Sequence, residues 1–156
     1  MNANLSCRQT VVLAVLCLSF ASCAHSTDPE ESGLRIPRSG SALLSSVEAY
    51  ATQQYREQEA SGRSACSGIL YGYDDQYVHT WMLCENFSDT TVISAYSSPV
   101  RFTRSKEGII IGMERPKDGV FFQESVESLF PASIVTHLQP SNIEIDRLEK
   151  RNRVNR

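Results

Sequence analysis

Chemistry in this chain could rest on a few cysteines, histidines and carboxylates, and their spacing narrows what that chemistry is. Beyond residue 23 there are two cysteines, Cys66 and Cys84, in the segments CSGILYGY and YVHTWMLCENF. Both segments are rich in β-branched and aromatic residues, and the turn-forming DDQ separates them, which is the signature of a β-hairpin. If the hairpin turns at Asp74-Asp75-Gln76, Tyr73 faces Tyr77 and Cys66 faces Cys84. Directly opposed side chains stand about 4.5–5.5 Å apart at Cβ, and a slight closure brings two cysteines within bonding range. The expected chemistry is a cross-strand disulfide. The alternative is a pair of buried free thiols, which a one-residue change of register would restore. Zinc is not expected, because two cysteines without a Cys-x-x-Cys or paired histidines supply too few ligands.

The remaining reactive residues form no recognised constellation. His25, His79 and His137 are scattered, and a lone histidine is more often structural than catalytic. Asp74 and Asp75 are adjacent carboxylates, but a tight turn explains them. There is no Gly-x-Ser-x-Gly elbow, His-Glu-x-x-His pair, phosphate loop or dinucleotide fingerprint. The sequence therefore nominates no catalytic residue, no cofactor and no metal. An enzyme remains the alternative reading, with His79 beside Tyr71 as the first residues to test. Arg101, Thr103, Arg104 and Lys106 give the second hairpin positive character that could meet an acidic partner or lipid headgroups, although such charges more often solvate and protect a strand edge. Asn86-Phe87-Ser88 is a formal glycosylation acceptor, relevant only to a eukaryotic secreted chain.

The third notable cysteine lies near the start. MNANLSCRQT carries one positive charge, Arg8, and an apolar run from Val11 to Ala21 follows. That run is shorter than the roughly 20 residues a spanning helix needs, and with small residues at its end it reads as a secretory signal peptide over residues 1–22. Phe20-Ala21-Ser22-Cys23 resembles the lipobox of bacterial lipoproteins, departing from it at Phe20 where that family usually has leucine. The resemblance implies that Cys23 is acylated, palmitate included, and becomes the mature N-terminus; conventional cleavage near Ala24 is the competing route. Several acyl chains give durable attachment where one would not. Residues 23–38 then form a polar, Pro- and Gly-punctuated lipidated tether, and 39–156 a single domain. Ala24 after the cysteine implies outer-membrane sorting in a Gram-negative cell.

Charge narrows the partners. Removing residues 1–22 costs one basic residue, leaving 14 basic against 18 acidic and a net charge of −4. Nucleic acid wants a strongly basic surface, so it is not an expected partner. The expected partners are the membrane, through the lipid anchor, and an envelope protein.

The elements that must position these residues can be read from periodicity. Leu43, Leu44, Val47, Tyr50, Ala51 and Tyr55 recur at spacings of three and four, predicting an amphipathic helix that ends near Gly62. After the first hairpin, TTVISAY is a third strand, and PVRFTR and GIIIGMER form another hairpin around SKEG. Phe122, Val126, Leu129 and Phe130 have helical spacing, PASIVTHLQ opens on a proline suited to a first helical turn, and Ser141 with Glu144 makes a capping-box pattern before a basic terminal helix whose last turns are expected to fray. The fold class is α+β: an N-terminal helix and C-terminal helices packed on one face of an antiparallel sheet of about four to five strands.

In the expected register Ile69, Tyr71, Tyr73, Tyr77, Trp81 and Leu83 share a hairpin face. The plain reading buries that face under the first helix, with Trp81 in the core and Tyr73 and Tyr77 partly exposed beside the turn. The functional reading makes it an aromatic patch that grips a partner, with Tyr73 and Tyr77 as contacts. A membrane-anchored envelope lipoprotein acting as a binding or accessory module is the leading expectation; a secreted or periplasmic enzyme is the alternative.

Overall fold

A helix, four strands and three further helices follow one another in the computed structural model, which describes residues 41–59 and 62–156. Helix α1 spans Ser41–Gln58, and strands β1 to β4 span Arg63–Tyr73, Tyr77–Ser88, Thr91–Arg104 and Ile110–Glu114. Helices α2, α3 and α4 span Phe122–Leu129, Ala132–Val135 and Asn142–Asn155, with a short 3-10 turn at Gly119–Phe121 ahead of α2. The strands pair antiparallel in the order β1-β2-β3-β4. The α+β class is as expected. The third and fourth expected strands are one continuous 14-residue strand, because Pro99 sits inside β3 instead of starting a new element. The expected signal peptide and tether, with Cys23 and His25, lie outside the described residues.

The two faces of the sheet are covered by different elements. Val47, Ala51 and Tyr55 of α1 are buried against Cys66, Val78, Met82, Cys84, Val100 and Phe102. Val126, Phe130, Ile134 and Leu138 of the C-terminal helices form a second cluster, joined by Tyr71. Alternation along β2 explains this: Val78 and Met82 look toward α1, while the Phe130 ring packs 5.5 Å from that of His79. The expectation of helices on one face is therefore corrected to a helix-sheet-helix sandwich. Near-continuous burial along β2 is its sequence-level trace, since a strand covered on both faces loses clean polar alternation.

Cys66 and Cys84 are directly opposed and disulfide-bonded, with Cα atoms 4.1 Å apart. The expected register holds from Arg63 to Leu70 and then slips. Tyr71 is an extra residue, so Tyr73 pairs with Val78 instead of Tyr77. A one-residue slip reverses a side chain's face, and Tyr73 accordingly packs with the α1 cluster while Tyr71 packs with the C-terminal helices. The single aromatic hairpin face is thus split by a bulge. The part that stays together lies under α2 and α3, not under α1.

Two local devices fix where β1 and α4 begin. Gly62 adopts φ +102°, and a Cβ there would stand 2.6 Å from both Asn86 Oδ1 and the Phe87 carbonyl, so only glycine admits this entry into β1. Ser141 and Glu144 form the expected reciprocal capping box of α4. The last turn of α4 exposes Arg153 and Val154 but is held on its inner side. Asn152 is fully buried and donates to the Leu83 carbonyl at 3.0 Å and to Glu85 Oε2 at 2.9 Å, which pins the helix end to β2.

Candidate functional site

After β4 the chain passes Pro116, which lacks the N–H a continuing strand would use, and turns at Gly119 with φ +70°. Helix α2 then buries Val126 and Phe130 against Ile134 and Leu138. The helical period that turns those two inward leaves the preceding residues outside: Val120 is 91 % exposed and Phe121 57 %, with Phe122 at the boundary. Phe121 and Phe122 make a ridge between two depressions. Phe122, Trp81, Pro99, Val126, Val135 and Leu138 line a cleft of about 140 Å³, which Gln123 and Gln139 also border. Phe121 borders a more polar groove of about 260 Å³ with Lys117, Glu124, Ser125 and Ser128.

Trp81 is the floor of the apolar cleft. It is partly exposed, not fully buried as expected, and its indole N–H donates to Ser97 Oγ at 2.7 Å. That bond fixes the ring and satisfies its one polar atom, leaving an apolar surface toward the cleft. The cleft is well below the roughly 300–1,000 Å³ of a small-molecule site. Its size suits one inserted side chain.

The other candidates are accounted for by their surroundings. Tyr77 is partly buried and carries the Arg101 guanidinium 4.5 Å from its ring centroid, while Arg101 is also ion-paired with Glu114. Arg104 lies 5.9 Å from the Tyr73 ring and donates to the Asp74 carbonyl at 2.9 Å. Tyr73 and Tyr77 are thus stacked beneath arginines, and neither borders the apolar cleft. Lys106 is exposed at the turn between β3 and β4, and Thr103 is partly buried opposite Gly112. The Asp74 carboxylate accepts from the Gln76 and Tyr77 amides, each at 2.7 Å, which is the turn role expected of it.

His79 does not stand where substrate could reach it. It is 2 % exposed, between the Tyr77 and Phe130 rings, and its Nδ1 has no hydrogen-bond partner among the described residues. Burial lowers its pKa to about 4; the neighbouring Arg101 charge acts in the same direction, and Asp74 opposes it. Tyr71 is pushed up to about 12, first by burial and then by Glu144, so it stays a neutral phenol. Of the pair nominated for an enzyme, His79 is interior and Tyr71 is partly buried against the C-terminal cluster. His137 is exposed beyond α3.

The Phe121-Phe122 ridge escaped the sequence reading, although a signal was present. Phe121, Ser125 and Ser128 share the polar side of the α2 pattern, so Phe121 is out of phase with the buried stripe. No family model, no curated protein and no solved structure matches this chain.

Proposed function

We propose that this chain is a membrane-anchored envelope lipoprotein that acts as a binding or accessory module, gripping a protein partner at the Phe121-Phe122 ridge. The observation that carries this reading is the run of Val120, Phe121 and Phe122 standing in solvent beside the Trp81 cleft. Exposed contiguous apolar surface costs solubility, and its common use is an interface. An aromatic ridge with a neighbouring pocket is the arrangement of an interaction hot spot. The anchor is the part of the reading that rests on Cys23 and its lipobox-like context, with the outer membrane as destination in a Gram-negative cell. Among the described residues no helix is long and apolar enough to cross a membrane.

Affinity capture from detergent-solubilised envelope, with wild type and Phe121→Asp side by side, tests the binding role. A partner retained by wild type and lost by the variant supports it; recovery of the same proteins by both would remove the ridge from the account. The anchor is tested by intact mass. Mature protein should begin at Cys23 with added lipid, and Cys23→Ser should be unprocessed or released. A mature chain that starts beyond Cys23 without an adduct refutes lipidation and leaves the ridge untouched.

A further inference from the structure

We infer that α2 and α3 form an acid-releasable cover on the sheet, seated by apolar packing over His79 and loosened when that ring gains a proton. The helices differ in how they are attached. Thr52 and Glu48 of α1 accept the Cys66 and Gly68 amides of β1 at 3.1 and 2.8 Å. Asn152 and Arg151 of α4 donate to the Leu83 and Gly68 carbonyls at 3.0 and 3.4 Å. For α2 and α3 there is no counterpart. Among the described residues no hydrogen bond or ion pair joins positions 117–140 to a strand, and their bonds stay within the segment, as where the Lys117 amide donates to Ser125 Oγ at 3.0 Å. Neither helix has a side-chain N-cap, whereas α4 has a full capping box.

The cover is seated by Val126, Phe130, Ile134 and Leu138, with Tyr71 packed against them, and the Phe130 ring lies 5.5 Å from that of His79. The segment is entered at Gly119, where φ is +70° and a Cβ would meet nothing within 4 Å, and it is left at Pro140. Lifting it about those two joints breaks no hydrogen bond to a strand. Only apolar burial opposes the opening, which is the condition for local release ahead of global unfolding.

A proton on His79 favours that opening. The ring is 2 % exposed and its Nδ1 has no partner among the described residues, so a charge there is buried unpaired while α2 is seated. The surrounding groups offer little compensation. From β3, Arg101 stands directly opposite, paired in turn with Glu114 of β4. Asp74 in the turn favours the charged ring, but its carboxylate already accepts the Gln76 and Tyr77 amides. From β1 come Gly72, directly opposite, and the nearby Tyr71, a neutral phenol on which Glu144 of α4 acts. Helix α2 presents Phe130 and keeps Glu124 and Glu127 exposed, and His137 beyond α3 is exposed as well. The cover carries the Phe121-Phe122 ridge, but its release needs no partner and is measured on isolated protein.

Hydrogen exchange of the purified full chain at pH 7 and pH 5, corrected for intrinsic rates, tests this above the range where ordinary carboxylates titrate. His79 has a pKa of about 4 when enclosed and 6.5 when free. Protection across residues 122–138 should therefore fall about 20-fold between the two pH values, and at both it should lie below that of β2 and α1. His79→Gln and His79→Phe cannot take up the proton, so the fall should vanish in whichever of them folds, as judged by a Cys66–Cys84 bridge that resists alkylation. The wild-type comparison decides even if neither folds. Protection of residues 122–138 equal to that of β2 at both pH values would overturn the proposal, because the cover would then open only with the whole domain. The absence of a fall in wild type, or a fall that persists in a folded His79 variant, would overturn it as well.

Discussion

Glu48 of α1 and Arg151 of α4 meet 2.6 Å apart beside the free side of β1, joining helices from opposite faces of the sheet. The carboxylate also accepts the Gly68 amide, so one side chain closes a strand edge and holds the last helix. Glu48→Ala should cost about 1–3 kcal/mol, because it strands a part-buried amide as well as the guanidinium. Arg151→Ala should cost less, since its side chain is 42 % exposed and the pair is partly screened. Denaturant unfolding of both variants checks the order; a larger loss for Arg151→Ala would mean that the amide bond matters little.

The Cys66–Cys84 bridge closes a loop with a sequence separation of 18. Replacing both cysteines with alanine should lower stability by about 2–4 kcal/mol in the loop-entropy picture. Alkylation of folded protein without reductant should label neither residue. Quantitative labelling of both would reject the bridge.

His79 links stability to pH. Its folded pKa, about 4, lies below the unfolded 6.5, so the folded state binds fewer protons in between. The contribution is present in full above pH 6.5 and is lost as pH falls toward 4, to a total of about 3 kcal/mol. His79→Gln should unfold with a shallower acid slope than wild type over that window. Parallel slopes for the two proteins would show that His79 is not the group responsible.

Asn152 carries the end of α4. Asn152→Ala removes the donor to Glu85 and to the Leu83 carbonyl in a fully buried site. Leaving buried acceptors unsatisfied costs about 1–3 kcal/mol, more where a carboxylate is involved. Hydrogen exchange should rise through α4 of the variant while α1 stays protected. Unchanged protection in α4 would indicate that Leu148 and the Glu48–Arg151 pair hold the helix without Asn152.

Much of the architecture was legible because local periodicity and turn chemistry act over a few residues. The DDQ turn and the Ser141-Glu144 capping box follow from side chains that meet their partners within one turn, and the α1 stripe from the spacing of its apolar residues. The disulfide followed from the register counted about Asp75, which fails beside the turn, where Tyr73 pairs with Val78, and is restored over Arg63–Leu70 by the extra residue at Tyr71. The slip at Tyr71 was not legible, because a bulge is decided by what packs on either face, and here Tyr73 finds the α1 core while Tyr71 finds the C-terminal helices.

By itself, the sequence determined the α+β class, the cross-strand bridge and the segments that would become helices and strands. Only the tertiary structure decided which face each helix covers, since an amphipathic stripe records that it must be buried but not against what. It decided that His79 is enclosed, because burial depends on Phe130, fifty-one residues away. It also decided that Phe121 stands out, because α2 can turn only one side inward and the C-terminal cluster selects Val126 and Phe130. What flanks β3 is a property of the whole sheet: β4 pairs with Arg101–Arg104, and Arg115 just beyond it lies over the Tyr96 ring.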